Sequence, residues 1–154
     1  MTPLGNPSPP PLPRWLGYAG LLPQVLALIA VAAGDVGGRF TALALSYAYA
    51  ALILSFLGGM WWGLAAQARA PAPRWVWFAA VAPSLIALVS AVPWATGDAW
   101  PGPSMALLGL SLLGSLFVDY RMRAAGLCPD WWLSLRLPLS IGLGVLTLAI
   151  GYLA

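Results

Sequence analysis

Residues 41–66, TALALSYAYAALILSFLGGMWWGLAA, run for 26 positions without one charged side chain. Wound as an α-helix, that stretch is about 39 Å long, more than the ~30 Å hydrocarbon core of a bilayer requires. It reads as a transmembrane helix that tilts or protrudes. A membrane β-strand would alternate polar and apolar residues over about ten positions. Here both faces are apolar.

Similar runs lie on either side, at about 16–33, 75–92, 103–120 and 132–153, separated by Gly-Asp, Pro-Gly and Arg-containing turns. The chain is 61% hydrophobic and 7% charged, whereas a soluble domain carries about 25% charged residues. Only lipid can solvate such a surface. The expected fold class is an all-α integral membrane protein, a compact bundle of five transmembrane helices over residues 15–154. A Pro-rich segment at 1–14 is expected to be extended. Ala30-Val31-Ala32 resembles a small-residue cleavage site, but the run containing it is long enough to span and is assigned as the first helix.

Arginine placement sets the expected orientation. Arg14, Arg69, Arg74, Arg121 and Arg123 fall on one side, with Arg136 just inside the fifth helix. The other side has only Arg39, near Asp35. The positive-inside rule then puts the N-terminus in the cytoplasm and the C-terminus outside, as in a multi-pass protein of a bacterial inner (cytoplasmic) membrane. Trp15, Trp61, Trp62, Trp75, Trp77, Trp131 and Trp132 belong near the cytoplasmic boundary, and Trp94 and Trp100 near the other.

The composition also excludes chemistry. There is no His, no Lys and a single Cys, Cys128. Disulfide frameworks, His-based acid–base catalysis and His/Cys metal sites all drop out. No nucleophile–base pair or phosphate loop is recognisable, so no catalytic residue, metal or cofactor is assigned and an enzyme is the least expected class. The seven arginines form no basic stripe, which argues against nucleic acid.

Ala51, Ser55, Gly59 and Gly63 recur every four residues in the second helix, a small-residue face on which another helix could pack closely. Tyr47 and Trp62 continue it at its two ends. Asp119 and Arg136 lie at a similar depth on helices adjacent in sequence. A charge in lipid costs several kcal/mol unless paired, so a salt bridge between the fourth and fifth helices is expected. Pro23, Pro83 and Pro138 interrupt three spans and should kink them toward protein rather than lipid. Gln24, Tyr47, Trp62 and Trp132 are the candidate ligand contacts.

The stretch Leu54-Ser55-Phe56-Leu57-Gly58-Gly59, followed by Trp62-Gly63, resembles the transmembrane protein 69-like family, a bacterial and mitochondrial membrane domain of unknown function. Gly17 to Pro23 and the group Pro129, Trp131, Leu135 and Arg136 extend the resemblance along most of the chain. Family members often carry His or Arg where this chain has Trp61, and an aromatic residue where it has Gln24. The resemblance implies a membrane architecture and no activity.

The function expected from these residues is that of a non-catalytic accessory or assembly subunit, packing against a larger membrane complex or a second copy of itself. The alternative is a binding protein or carrier for a lipid, quinone or tetrapyrrole, held between kinked, Trp-rich helices.

Overall fold

The computed structural model describes residues 8–34 and 36–154. Its helices are α1 (Pro11–Ala19), α2 (Leu22–Ala32), α3 (Val36–Ala66), α4 (Arg74–Ser90), α5 (Val92–Thr96), α6 (Gly102–Ala124) and α7 (Trp132–Leu153), with no strand among the described residues. They make five spans long and apolar enough to cross a membrane: Pro11–Ala32, Gly37–Ala66, Arg74–Thr96, Gly102–Ala124 and Trp132–Leu153. The chain is a polytopic, multi-pass membrane protein.

The N-terminal segment departs from expectation. Residues 1–7 lie outside the described residues, as does Asp35, but residues 11–14 are helical rather than extended. The first N–H groups of a helix have no intrahelical partner, so Pro11 and Pro13 remove nothing that the helix needs. The Arg14 N–H donates to the Pro10 carbonyl at 3.2 Å, closing the first turn. Helix α3 begins at Val36, earlier than the Thr41 expected, because a helix does not need apolar residues where it leaves the lipid.

Proline divides two of the spans. Pro23 lacks an N–H and its ring crowds the preceding turn, so the first span breaks at Gly20 and Leu21 between α1 and α2. The Gly20 carbonyl accepts a 2.5 Å hydrogen bond from the Tyr49 hydroxyl. In lipid a freed carbonyl needs such a neighbour. Pro93 likewise sets α5 apart from α4.

Leu45, Leu52, Phe78, Leu88, Leu110 and Phe117 point outward, while Gln24, Ser46, Ser115, Asp119, Ser140 and Thr147 are buried. Apolar outside and polar inside is the arrangement for a lipid solvent. Helices then associate by close packing rather than by escape from water. The most extensive helix–helix contact joins α6 to α7. A Cβ on Gly109 would come within 3.0 Å of the Gly144 carbonyl oxygen, and one on Gly144 within 3.0 Å of the Gly109 oxygen. Gly58 meets the Ala80 carbonyl in the same way where α3 crosses α4. By contrast, α1 buries none of its residues and rests mainly on α7.

Candidate functional site

Four-residue spacing places the polar groups. Ser115 and Asp119 fall on one face of α6, and Trp132, Arg136 and Ser140 on one face of α7. Where these faces meet, Asp119 is completely buried. Its Oδ2 accepts from Arg136 Nε at 2.9 Å, and its Oδ1 accepts from the indole N–H groups of Trp132 and Trp61, each at 2.9 Å. Arg136 Nη2 donates to Ser115 Oγ at 3.3 Å. Ser115 in turn donates to the Leu112 carbonyl at 2.6 Å and lies 3.3 Å from Ser140 Oγ.

The carboxylate is thus held by one cation and two neutral donors drawn from α3 and α7. Burying a pair of charges is tolerable only when their remaining hydrogen-bonding capacity is met, and for Asp119 it is. Trp61 also reaches this carboxylate and serves as one of its donors.

Beside the cluster lies a cavity of about 420 Å³ between α1, α3, α6 and α7. Its walls are apolar, with Leu16, Gly17, Ile53, Leu57 and Leu139 among them, and Trp132, Arg136 and Ser140 supply a polar edge. Ligand cavities typically measure about 300–1,000 Å³ and show this mixture of apolar wall and few polar groups.

A second buried cluster sits deeper. Gln24 is fully buried and donates through Nε2 to Thr147 Oγ1 at 3.0 Å and to the Ser46 carbonyl at 3.3 Å. Its Oε1 accepts from Ser46 Oγ at 2.5 Å. These bonds tie α2 to α3 and α7.

The other candidates scatter. Tyr47 shares a 3.0 Å hydrogen bond with Ser90 and packs edge-on to Trp100. Trp62 is half-exposed and stacks T-shaped on Trp77, with ring centroids 4.8 Å apart. Of Gln24, Tyr47, Trp62 and Trp132, only Trp132 lines the large cavity.

The small-residue series does not act as one packing face. Ser55 meets Ser84 at 2.9 Å and Ala51 packs against the core, but a Cβ at Gly59 or Gly63 would touch nothing within 4 Å. The close approach of α3 is made by Gly58, one position earlier.

Cys128, in the turn between α6 and α7, is buried. Burial and then the nearby Asp119 carboxylate push its thiol up to about 12, against a smaller opposing pull from Arg123. A thiol held in that state is inert rather than nucleophilic. On the same end of the bundle Arg123 pairs with Asp130 at 2.5 Å, and Arg121 lies over the Trp75 ring.

Residues 9–153 match the family model described as protein of unknown function, DUF3429. No curated protein and no solved structure matches the chain.

Proposed function

As the chain belongs to the DUF3429 family, whose function is unknown, we propose a role from its own geometry: a non-catalytic membrane protein that binds a small apolar molecule between its helices. The observation that carries this reading is the 420 Å³ cavity with Arg136 on its edge. The carboxylate behind it accepts from three donors and ties the helices together. A lipid, quinone or tetrapyrrole are the ligand classes at issue.

The same reading places the protein in a bacterial inner membrane, its arginine-rich end toward the cytoplasm. It also takes the motif from Leu54 to Gly63 as kinship with transmembrane protein 69-like chains.

The test is gentle purification, followed by native mass measurement and analysis of extracted small molecules. Wild-type protein should retain one molecule per chain. Ile53→Trp, which fills the cavity from its α3 wall, should lose it while melting as wild type does. Equal retention by both proteins would remove the cavity from consideration.

A second reading is favoured by one observation. Gly59 and Gly63 present bare backbone to the outside of α3, next to exposed Phe56 and Trp62. An accessory subunit in a larger complex, or a homo-oligomer, would cover that strip. The same native mass measurement detects it as a stoichiometric protein partner.

A further inference from the structure

We propose that the cavity holds a single extended hydrocarbon chain ending in a neutral carbonyl, and that Arg136 donates to that carbonyl. The inference rests on the binding reading above and narrows its ligand.

Shape is the first argument. On α7 the lining runs from Trp132 to Leu143, and on α3 from Tyr49 to Met60. Each covers twelve residues, so its ends lie about 16 Å apart along a helix axis. The lining over that length is mostly apolar, which suits one extended chain running along the bilayer normal.

The second argument is an unspent donor. A guanidinium has five N–H groups. Asp119 takes the one on Nε and Ser115 one on Nη2; the others have no protein acceptor among the described residues. Arg136 is 7% exposed, and it lines the cavity. Its unpaired N–H groups are not fully enclosed, so they remain reachable, and in apolar surroundings a reachable donor gains from an acceptor supplied by the occupant.

Charge selects which acceptor. Asp119 already balances Arg136 one for one at 2.9 Å. A carboxylate or phosphate would bring a second negative charge beside Asp119 in a medium of low dielectric, where an unbalanced ion is expensive. A carbonyl accepts the hydrogen bond and adds no charge.

Depth agrees. Arg136 is one turn in from Trp132, at the end of the bundle where Arg14, Arg121 and Arg123 gather. A chain headed there and running toward Leu143 points its tail to the bilayer centre. Two sources share this chemistry: an acyl ester of a membrane lipid and a prenylated quinone.

The test uses the full chain in nanodiscs of ether-linked phospholipid, which contribute no ester carbonyl. A C16 methyl ester brominated along its chain is the probe, because it quenches Trp131 and Trp132 when bound. Its competitors are the unbrominated ester, the matching alkyl ether, the matching carboxylate at pH 9 and a prenylated benzoquinone. The ester, the quinone or both should compete about tenfold better than the ether, the worth of one hydrogen bond from a charged donor. The carboxylate should compete less well than the ester. Preference for ester identifies the lipid source and preference for quinone the other.

In the double variant Asp119→Asn/Arg136→Met, which leaves no lone buried charge and no donor at position 136, the tenfold preference should vanish while the probe still binds. Equal competition by ether and ester, or strongest competition by the carboxylate, overturns the proposal. So does failure of every arm to bind while native protein still retains a molecule that Ile53→Trp loses; in that case the cavity reading stands and this ligand class falls. If Ile53→Trp retains as much as wild type, the cavity reading itself fails.

Discussion

Two buried polar clusters brace this bundle, and they are made of different materials. One joins α3, α6 and α7 through Asp119, Arg136, Trp61 and Trp132. The other joins α2, α3 and α7 through Gln24, Ser46 and Thr147, eleven residues or about 16 Å farther along α7. In the neutral cluster both amide hydrogens and the amide oxygen of Gln24 find protein partners, so no donor is left over. In the charged cluster the carboxylate takes three donors, while Arg136 gives only two of its five N–H groups to protein acceptors among the described residues and lines the cavity. A sealed network only fixes helices relative to one another. One with a spare donor at a cavity wall can also recognise something.

The difference in material should appear first in stability. Asp119→Asn and Arg136→Gln should each lower stability by about 3–5 kcal/mol, because each strands a partner in a poorly solvated place. The double variant should lose clearly less than the two losses added together, which is the signature of direct coupling. Reversible unfolding of all four proteins in one detergent would show it. Strict additivity would mean that the two residues act independently and that the charged cluster is not a unit.

Close packing gives the next largest effect and separates the inner helix faces from the outer one. Gly109→Leu should destabilise by about 1–3 kcal/mol, since Leu148 and the Gly144 carbonyl already occupy the space. Gly59→Leu should melt within experimental error of wild type when the protein is monomeric, because its surroundings are open. A matching loss at Gly59 would show that the outer strip is covered in the purified protein. The neutral cluster should give less again. Gln24→Leu should cost about 1 kcal/mol, the usual scale for hydrogen bonds between membrane helices, because Thr147 keeps its bond to the Leu143 carbonyl. A loss as large as that of Asp119→Asn would erase the contrast between the two clusters.

These positions also show what could be read before any coordinates. The spans were legible because a lipid solvent demands long apolar runs. The meeting of Asp119 with Arg136 was legible because two charges at one depth have few alternatives. The face of α3 was not. Protein and lipid are equally apolar, so small residues at four-residue spacing do not say which side meets another helix, and the crossing falls on Gly58 rather than Gly59. Trp61 was missed because tryptophan near a span end already has an interfacial explanation. Ser115 and Ser140 could have been found, as each lies four residues from a member of the ion pair on its own helix. The helical turn at Pro11–Arg14 was hidden because a proline run looks extended until its place at a helix start is known.

The smallest effect is a change in thiol reactivity, and it reports on the charged cluster from a neighbouring group. Cys128 is raised to about 12 by burial first and by the Asp119 carboxylate second. The thiolate is the reactive form, so at pH 8 roughly one thiol in ten thousand is ionised, from the four-unit gap. Alkylation by a small, uncharged reagent should therefore be slow at pH 7 and rise about tenfold per pH unit through pH 10 without levelling off. Replacing Asp119 with Asn removes the negative charge that opposes the thiolate, so the whole profile should move to lower pH while keeping its slope. Burial would remain, and the profile should still lie above that of an exposed thiol. A plateau between pH 8 and pH 9 in wild-type protein would show that Cys128 does not sense its surroundings in this way. An unchanged profile in Asp119→Asn would show that Asp119 carries no charge felt at the thiol, and the description of the cluster as an ion pair would have to change.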